Sequence, residues 1–182
     1  MTQDNNHLLP LAFIGLMFFT VGFALGINSY LVPLLQSTLE VSSGQSYLII
    51  AATFSAFLIF SYPSARIIRR IGYCRTMALS FVIFAAGFLL FVPSARMGNL
   101  GLFLLASFTC GIGNTVLQAA INPYITILGP IDSAARRISI MGICNKLAWP
   151  VAPIFLAAVI GKEVGDAVLT DIDLPFYIIV AI

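Results

Sequence analysis

Long stretches without a charged side chain constrain this chain more than any other feature of its sequence. No Asp, Glu, Lys or Arg occurs in residues 5–39, 41–65, 76–95 or 97–131. A helix of about 20 apolar residues spans the hydrocarbon layer of a bilayer, and each of these gaps is long enough. Charged residues make up 9% of the chain, against roughly a quarter in soluble domains. These features predict an integral membrane protein.

The apolar runs predict helices and not barrel strands. A segment in lipid must bond its own backbone groups, which leaves helices or closed barrels, and these runs lack the period-two alternation of barrel strands. We therefore expect an all-α membrane protein with a bundle of six transmembrane helices. The predicted helices cover about residues 8–35, 47–65, 76–93, 102–128, 138–160 and 174–182. The last run is too short to cross a bilayer, so the sixth helix is expected to be incomplete.

Basic residues predict the orientation of the bundle. Arginines cluster in two predicted connections, between helices two and three and between helices four and five: Arg66, Arg69, Arg70, Arg75, Arg136 and Arg137. The positive-inside rule assigns both connections and the N-terminus of this multi-pass protein to the cytoplasm. No basic patch interleaved with aromatic residues occurs, so nucleic acid is not an expected partner.

Amides on the fourth predicted helix are the clearest sign of function. Asn114, Gln118 and Asn122 are spaced four apart, so they drift only about 80° in all around a helix and share one face. Polar side chains at membrane depth usually face a bundle interior or an aqueous cavity. Amides supply donors and acceptors together, which suits a ligand with several hydroxyls, although they also bond helices to one another.

A lysine lies well inside the fifth predicted helix. Insertion of a lysine at a helix centre costs about 2.5 to 3.5 kcal/mol, so Lys146 is expected either to face a cavity or to extend toward the cytoplasmic surface. Trp149, one turn further on, is expected either to stack on the apolar face of a sugar ring or to pack between helices. On helix one, Asn28 and Ser29 are candidates for the mouth of a cavity, next to Gly22 and Gly26, which predict close helix packing.

The sequence offers no chemistry for an intramembrane enzyme. Such an enzyme needs paired carboxylates, a serine with a histidine or a metal cluster at depth, and the only histidine, His7, is in the N-terminal tail. Cys74, Cys110 and Cys144 lack metal-ligand spacing and are expected to be unpaired. We therefore predict neither an enzyme nor a metal or cofactor site.

Several motifs resemble one branch of a known family. NTVLQAAINPYITILGP, at residues 114–130, resembles the fourth helix of the fucose:proton symporter branch of the major facilitator superfamily, which includes bacterial glucose/galactose transporters. GINSYLVPLL at residues 26–35, RRIGY at residues 69–73, Arg137 and Asn145 extend the match. The resemblance implies two six-helix halves, a sugar site between them and alternating access. Residues 1–182 would then form the N-terminal half, with the C-terminal half absent.

The resemblance also implies roles for particular residues. Together with the polar positions it predicts a substrate site that contains Asn28, Asn114, Gln118, Asn122, Asn145, Lys146 and Trp149. It implies a cytoplasmic gate loop made of Arg66, Arg69, Arg70, Gly72, Arg75 and Arg137. Ser29, Gln118 and Lys146 are the candidates for ion coupling. The fucose symporters carry carboxylates at the positions of Ser29 and Gln118, and neutral groups there do not titrate at physiological pH. Coupling to a proton, to sodium or to no ion is therefore left open.

Three hypotheses about function follow. The first is a carrier of a hexose such as glucose, galactose or fucose, with the lipid bilayer, the coupling ion and the missing half or a second copy as partners. The second is a carrier of an acidic sugar or another small organic anion that uses Lys146. The third is a non-transporting structural or regulatory subunit, or a remnant, because six helices without a partner half cannot form a cavity between halves.

Overall fold

A computed structural model describes residues 8–39, 43–160 and 173–181. Within these ranges the chain forms six α-helices: α1 Leu8–Leu39, α2 Ser43–Ile71, α3 Tyr73–Met97, α4 Leu100–Ile127, α5 Ala134–Ile160 and α6 Asp173–Ala181. Five helices are long and apolar enough to cross a membrane, whereas α6 has nine residues. The prediction of an all-α, multi-pass membrane protein is confirmed, but the predicted count of six transmembrane helices is corrected to five candidate spans among the described residues, with α6 as a further short helix.

The helices extend further into the polar segments than the apolar runs predict. Arg66, Arg69 and Arg70 lie in the last turns of α2, and Arg75 lies in the first turn of α3. A single residue, Gly72, connects the two helices, and its φ of 81° is one that residues with a side chain rarely adopt. The prediction of an arginine-bearing loop here is wrong, because long basic side chains reach polar surroundings from a helix end without breaking the helix.

Helix α4 is the centre of the bundle. It packs along α3 on one side and along α2 on the other, while α1 packs along α5. Phe103, Leu117 and Ile121 of α4 are at most 1% exposed, so this helix is surrounded by protein at several levels. The buried α4 therefore places the predicted amides Asn114 and Gln118 inside the bundle.

A glycine allows α1 and α5 to approach closely. A Cβ atom at Gly22 would overlap the backbone carbonyl oxygen of Asn145, so only glycine fits there without a shift of one helix. Gly26, one turn along α1, faces Ala152 and Trp149 in the same interface. Both glycines therefore have the packing role predicted for them. The close contact that they allow fixes the position of the α5 segment that contains Asn145 and Lys146.

Helix α6 packs on the end of α3. The Phe176 ring stacks on Phe91 with centroids 5.1 Å apart, and the Arg96 Nε lies 2.7 Å from a carboxylate oxygen of Asp173. Phe88 is a further aromatic neighbour of Phe176 at 5.7 Å. Aromatic packing and an ion pair therefore join these two helices away from the polar positions of α4 and α5.

Candidate functional site

A cavity of about 310 Å³ lies between α1, α2, α4 and α5, and we call it the central cavity. Its polar lining consists of Thr53, Asn114, Gln118, Asn145 and Lys146. Its apolar lining consists of Leu25, Ile50, Phe54, Phe57 and Trp149. Small-molecule sites combine a mostly apolar wall with a few convergent polar groups, and this cavity has that composition.

Two of the three amides of α4 meet in the central cavity. Gln118 Nε2 donates a hydrogen bond to Asn114 Oδ1 at 3.3 Å. Asn114 is 1% exposed, and Gln118 is half-buried. This bond uses one N–H of Gln118, and an amide offers two N–H donors and a carbonyl acceptor. The two amides can therefore bind hydroxyl groups of a ligand while the hydrogen bond between them is kept.

Asn122 does not share this position. It is exposed and lies outside the lining of the central cavity. Four residues of helix turn through about 400°, so each step of four adds about 40° and Asn122 is about 80° away from Asn114. The predicted common face thus ends at Gln118, and the proposed substrate contact of Asn122 is not part of this cavity.

Lys146 and Trp149 form a pair at the wall of the cavity. Lys146 Nζ lies 4.8 Å from the centroid of the Trp149 ring, within the range of a cation–π interaction. The lysine is exposed and the tryptophan is 36% exposed, and both line the central cavity. Lys146 therefore lines a cavity, as one of its two predicted alternatives requires, and its role in binding stays a prediction.

Asn145 connects the site to α1. Its Nδ2 donates a hydrogen bond to the backbone carbonyl of Phe18 at 3.0 Å. Part of this amide therefore holds two helices together, which is the alternative role for polar residues inside a bundle. The resemblance pointed to Asn145 as a sugar contact, but the bond to α1 depends on helix packing and has no signal in the sequence.

A second cavity, of about 200 Å³, adjoins the same polar residues, and we call it the inner cavity. It is bounded by Phe18 and Val21 of α1, which precede the Leu25 of the central cavity by one to two turns. Gln118, Asn145 and Lys146 line both cavities. These three side chains therefore lie where the two cavities adjoin, and we call them the polar partition.

A larger cavity elsewhere has the wrong chemistry for a polar ligand. It measures about 500 Å³ and lies between α1, α3 and α6. Thr20 is the one polar residue among the described residues that line it, and its hydroxyl already donates to the Leu16 carbonyl at 3.0 Å. A sugar there would lose its hydrogen bonds to water without replacement, so the central cavity is the better candidate despite its smaller volume.

Arg137, predicted as part of the gate, caps a helix. It is buried and donates hydrogen bonds to the backbone carbonyls of Ile125 at 3.1 Å, Thr126 at 3.2 Å, Gly129 at 3.4 Å and Pro130 at 3.0 Å, and to the Ser133 hydroxyl. The last carbonyls of a helix have no partner within the helix. The Arg137 guanidinium satisfies two of them, those of Ile125 and Thr126, and its bonds to Gly129 and Pro130 belong to the turn between α4 and α5.

The other predicted gate residues are exposed at the junction of α2 and α3. Arg66 donates to the Tyr62 hydroxyl at 2.8 Å and lies 4.7 Å above that ring. Arg69, Arg70, Gly72 and Arg75 are exposed there as well. The side chains of Asn28 and Ser29 lie outside the described residues, and their roles stay predictions.

Comparison with known proteins supports the resemblance. A sequence profile of the Major Facilitator Superfamily matches residues 14–182, and the chain belongs to this superfamily. A glucose/galactose transporter from Brucella abortus biovar 1 (strain 9-941) is 36% identical over 91% of this chain and 40% of its own length. An L-fucose-proton symporter from Escherichia coli K12 is 28% identical over 84% of this chain and 35% of its own length.

The fold has a counterpart among solved structures. The crystal structure of the Escherichia coli fucose:proton symporter superposes with a TM-score of 0.77 and 23% identity, over 96% of this chain and 46% of that one. The chain thus spans less than half the length of the relatives it matches. Those relatives are named as transporters or symporters and none as an enzyme, in agreement with the sequence analysis.

Proposed function

We propose that this chain is the N-terminal half of a secondary transporter that carries a sugar across the bacterial inner membrane by alternating access. The sugar would be a hexose such as glucose, galactose or fucose, for which the similar proteins are named. One observation carries the proposal: Asn114, Gln118 and Asn145 converge on a cavity in the interior of a membrane-spanning bundle.

The lining of the central cavity suits a sugar. The amides offer donors and acceptors for ring hydroxyls. Trp149, Phe54 and Phe57 offer apolar surfaces for the C–H face of the ring. The missing half, or a second copy of the chain, would close the other side of the site, as in transporters whose binding sites lie between two repeats.

Transport requires access from both sides of the membrane. The polar partition of Gln118, Asn145 and Lys146 lies where the central cavity and the inner cavity adjoin, and we propose that the sugar passes it during the transport cycle. The junction of α2 and α3 would be the cytoplasmic gate, with the N-terminus on the same side. Ser29, Gln118 and Lys146 remain the candidates for coupling to a proton or a sodium ion.

Uptake by proteoliposomes tests the proposal. The protein is expressed from its complete reading frame, and uptake of glucose, galactose and fucose is measured with a proton gradient, a sodium gradient or neither. We expect saturable uptake of at least one sugar, and the effective gradient identifies the coupling ion. Absence of uptake of all three sugars under all conditions would refute a hexose carrier.

Two asparagines of α4 provide a matched pair of variants. Asn114 is buried at the central cavity, whereas Asn122 is exposed outside it. Asn114→Leu is expected to lower sugar uptake about tenfold, as for the loss of one buried hydrogen-bonding group. Asn122→Leu is expected to leave uptake within twofold of the wild type. Equal losses in the two variants would argue against the central cavity as the site.

A further inference from the structure

Lys146 is a cation in a cavity whose other polar groups are neutral. Of the acidic residues that the structure describes, Asp132 precedes α5 by two residues and Asp173 pairs with Arg96. Lys146 follows Asp132 by 14 positions, which corresponds to about 21 Å along a helix. Within the described part of the chain, no carboxylate is therefore available to neutralise the lysine in the central cavity.

The tryptophan contact does not replace an anion. A ring 4.8 Å from the Lys146 amine attracts it through the π-face, but the pair keeps its full positive charge. The ammonium group carries three N–H donors. With the ring on one side, Lys146 can still direct donors toward a ligand in the cavity that it lines.

We propose that the transported sugar carries a carboxylate, as in a hexuronate or an aldonate, and that Lys146 binds this group. The inference rests on the proposed function, because it takes the central cavity as the sugar site, and it replaces the neutral hexose with an acidic sugar as the preferred substrate. A carboxylate would supply the counter-charge that the described lining lacks. The hydroxyls would lie on the amides of Asn114, Gln118 and Asn145.

The position of Lys146 also fixes how the bound sugar is oriented in the central cavity. It is one of the three residues that line both the central and the inner cavity. Asn114 and Trp149 line the central cavity but not the inner one. The carboxylate of the bound sugar therefore lies at the polar partition, and the ring lies beside Trp149 and Asn114. A neutral hexose cannot form a charge-assisted hydrogen bond between a carboxylate and the Lys146 ammonium, which gives the acid its advantage.

Binding of three related ligands tests the inference. Affinities of galacturonate, galacturonamide and galactose are measured by calorimetry on the protein purified from its complete reading frame. The first two ligands share the sugar ring and differ mainly in charge. Galacturonate is expected to bind at least about tenfold tighter than the other two, the effect of one charge-assisted hydrogen bond. This comparison needs no variant, so it remains decisive if a substitution at Lys146 prevents folding.

Variants assign the effect to the lysine. Lys146→Met is expected to reduce the preference for galacturonate to less than twofold, and Lys146→Arg is expected to retain most of it. Arg136→Met removes an exposed cation from the first turn of the same helix, outside the central cavity, and is expected to leave all three affinities unchanged.

Each other outcome contradicts a specific claim. If galactose binds and galacturonate binds no better than its amide, the acidic-sugar inference is wrong and the proposed hexose transport stands. A preference for galacturonate that survives in Lys146→Met would overturn the role of this residue. If none of the three ligands binds, the proposed sugar site fails together with the inference.

Discussion

Helices α4 and α5 contribute to two polar regions, the turn that joins them and the central cavity. The polar side chains of these two regions have different bonding partners. At the turn, Arg137 donates hydrogen bonds to four backbone carbonyls and to a serine hydroxyl. In the cavity, Gln118 makes one hydrogen bond at 3.3 Å to Asn114, and Lys146 faces an aromatic ring. A polar group that is bonded within the protein stabilises the fold, whereas one that retains bonding capacity at a cavity can bind a ligand.

Removal of Arg137 should have the largest effect on stability. Arg137→Met leaves the carbonyls of the buried Ile125 and of the half-buried Thr126 and Gly129 without this donor, and we expect a loss of about 3 kcal/mol, since each unsatisfied buried group costs about 1 to 3 kcal/mol. Denaturation of the purified protein in detergent measures it. Arg137→Lys should recover part of the loss. A variant of full stability that only alters transport would instead favour the gate role.

A methyl group at Gly22 should disturb the central cavity more than the turn between α4 and α5. Gly22→Ala forces α1 away from Asn145, and overpacking of this kind typically costs about 1 to 3 kcal/mol. Because Asn145 and Lys146 lie at the point of contact, we expect weaker sugar binding as well as lower stability, measured by calorimetry and denaturation. Gly15→Ala is the matched control on the same helix, since its Cβ would lie 3.7 Å from the Met141 sulfur, an ordinary contact.

Substitution of Gln118 should separate binding from stability. Gln118→Leu removes one hydrogen bond of 3.3 Å between a half-buried residue and the buried Asn114, so we expect a loss of about 1 kcal/mol in unfolding free energy, well below that of Arg137→Met. Sugar affinity should fall about tenfold if the amide binds a hydroxyl. The same variant is examined by denaturation and by ligand titration. A large loss of stability with unchanged affinity would place Gln118 in the structural class with Arg137.

The ion pair between α3 and α6 should have the smallest effect. The Arg96 side chain is 61% exposed and that of Asp173 is 17% exposed, so water screens one partner of the pair. Arg96→Met is therefore expected to lower stability only slightly and to leave transport unchanged, because the pair lies outside both polar cavities. A larger loss, measured by denaturation at low and high salt, would show that a partly exposed pair can matter as much as the buried Arg137.

Helix identity was predictable, while helix ends were not. The apolar runs define five spans because lipid exposure imposes a local requirement on every residue of a span. The apolar run of the third helix predicts an end at Pro93, whereas α3 continues to Met97 and is terminated by Gly98. The prediction stopped too early because polar or basic residues and a proline near a helix end change hydropathy without ending the helix.

The candidate site was predictable in part. Helical periodicity places Asn114 and Gln118 on one face, and the structure has both at the central cavity. The same periodicity included Asn122, which is exposed and outside it. The four-residue spacing gives relative angles on one helix, but it contains no information about how far around α4 the neighbouring helices extend.

The sequence by itself determined that this chain enters a membrane as helices and that a few polar side chains lie at depth. Both conclusions follow from local physics: long apolar runs favour lipid, and the backbone in lipid must bond to itself. Only the tertiary structure decided that Arg137 caps α4, that Asn145 bonds to α1 and that Lys146 faces a cavity. Those roles depend on which helix lies opposite each side chain, and residues far apart in the chain supply that neighbour.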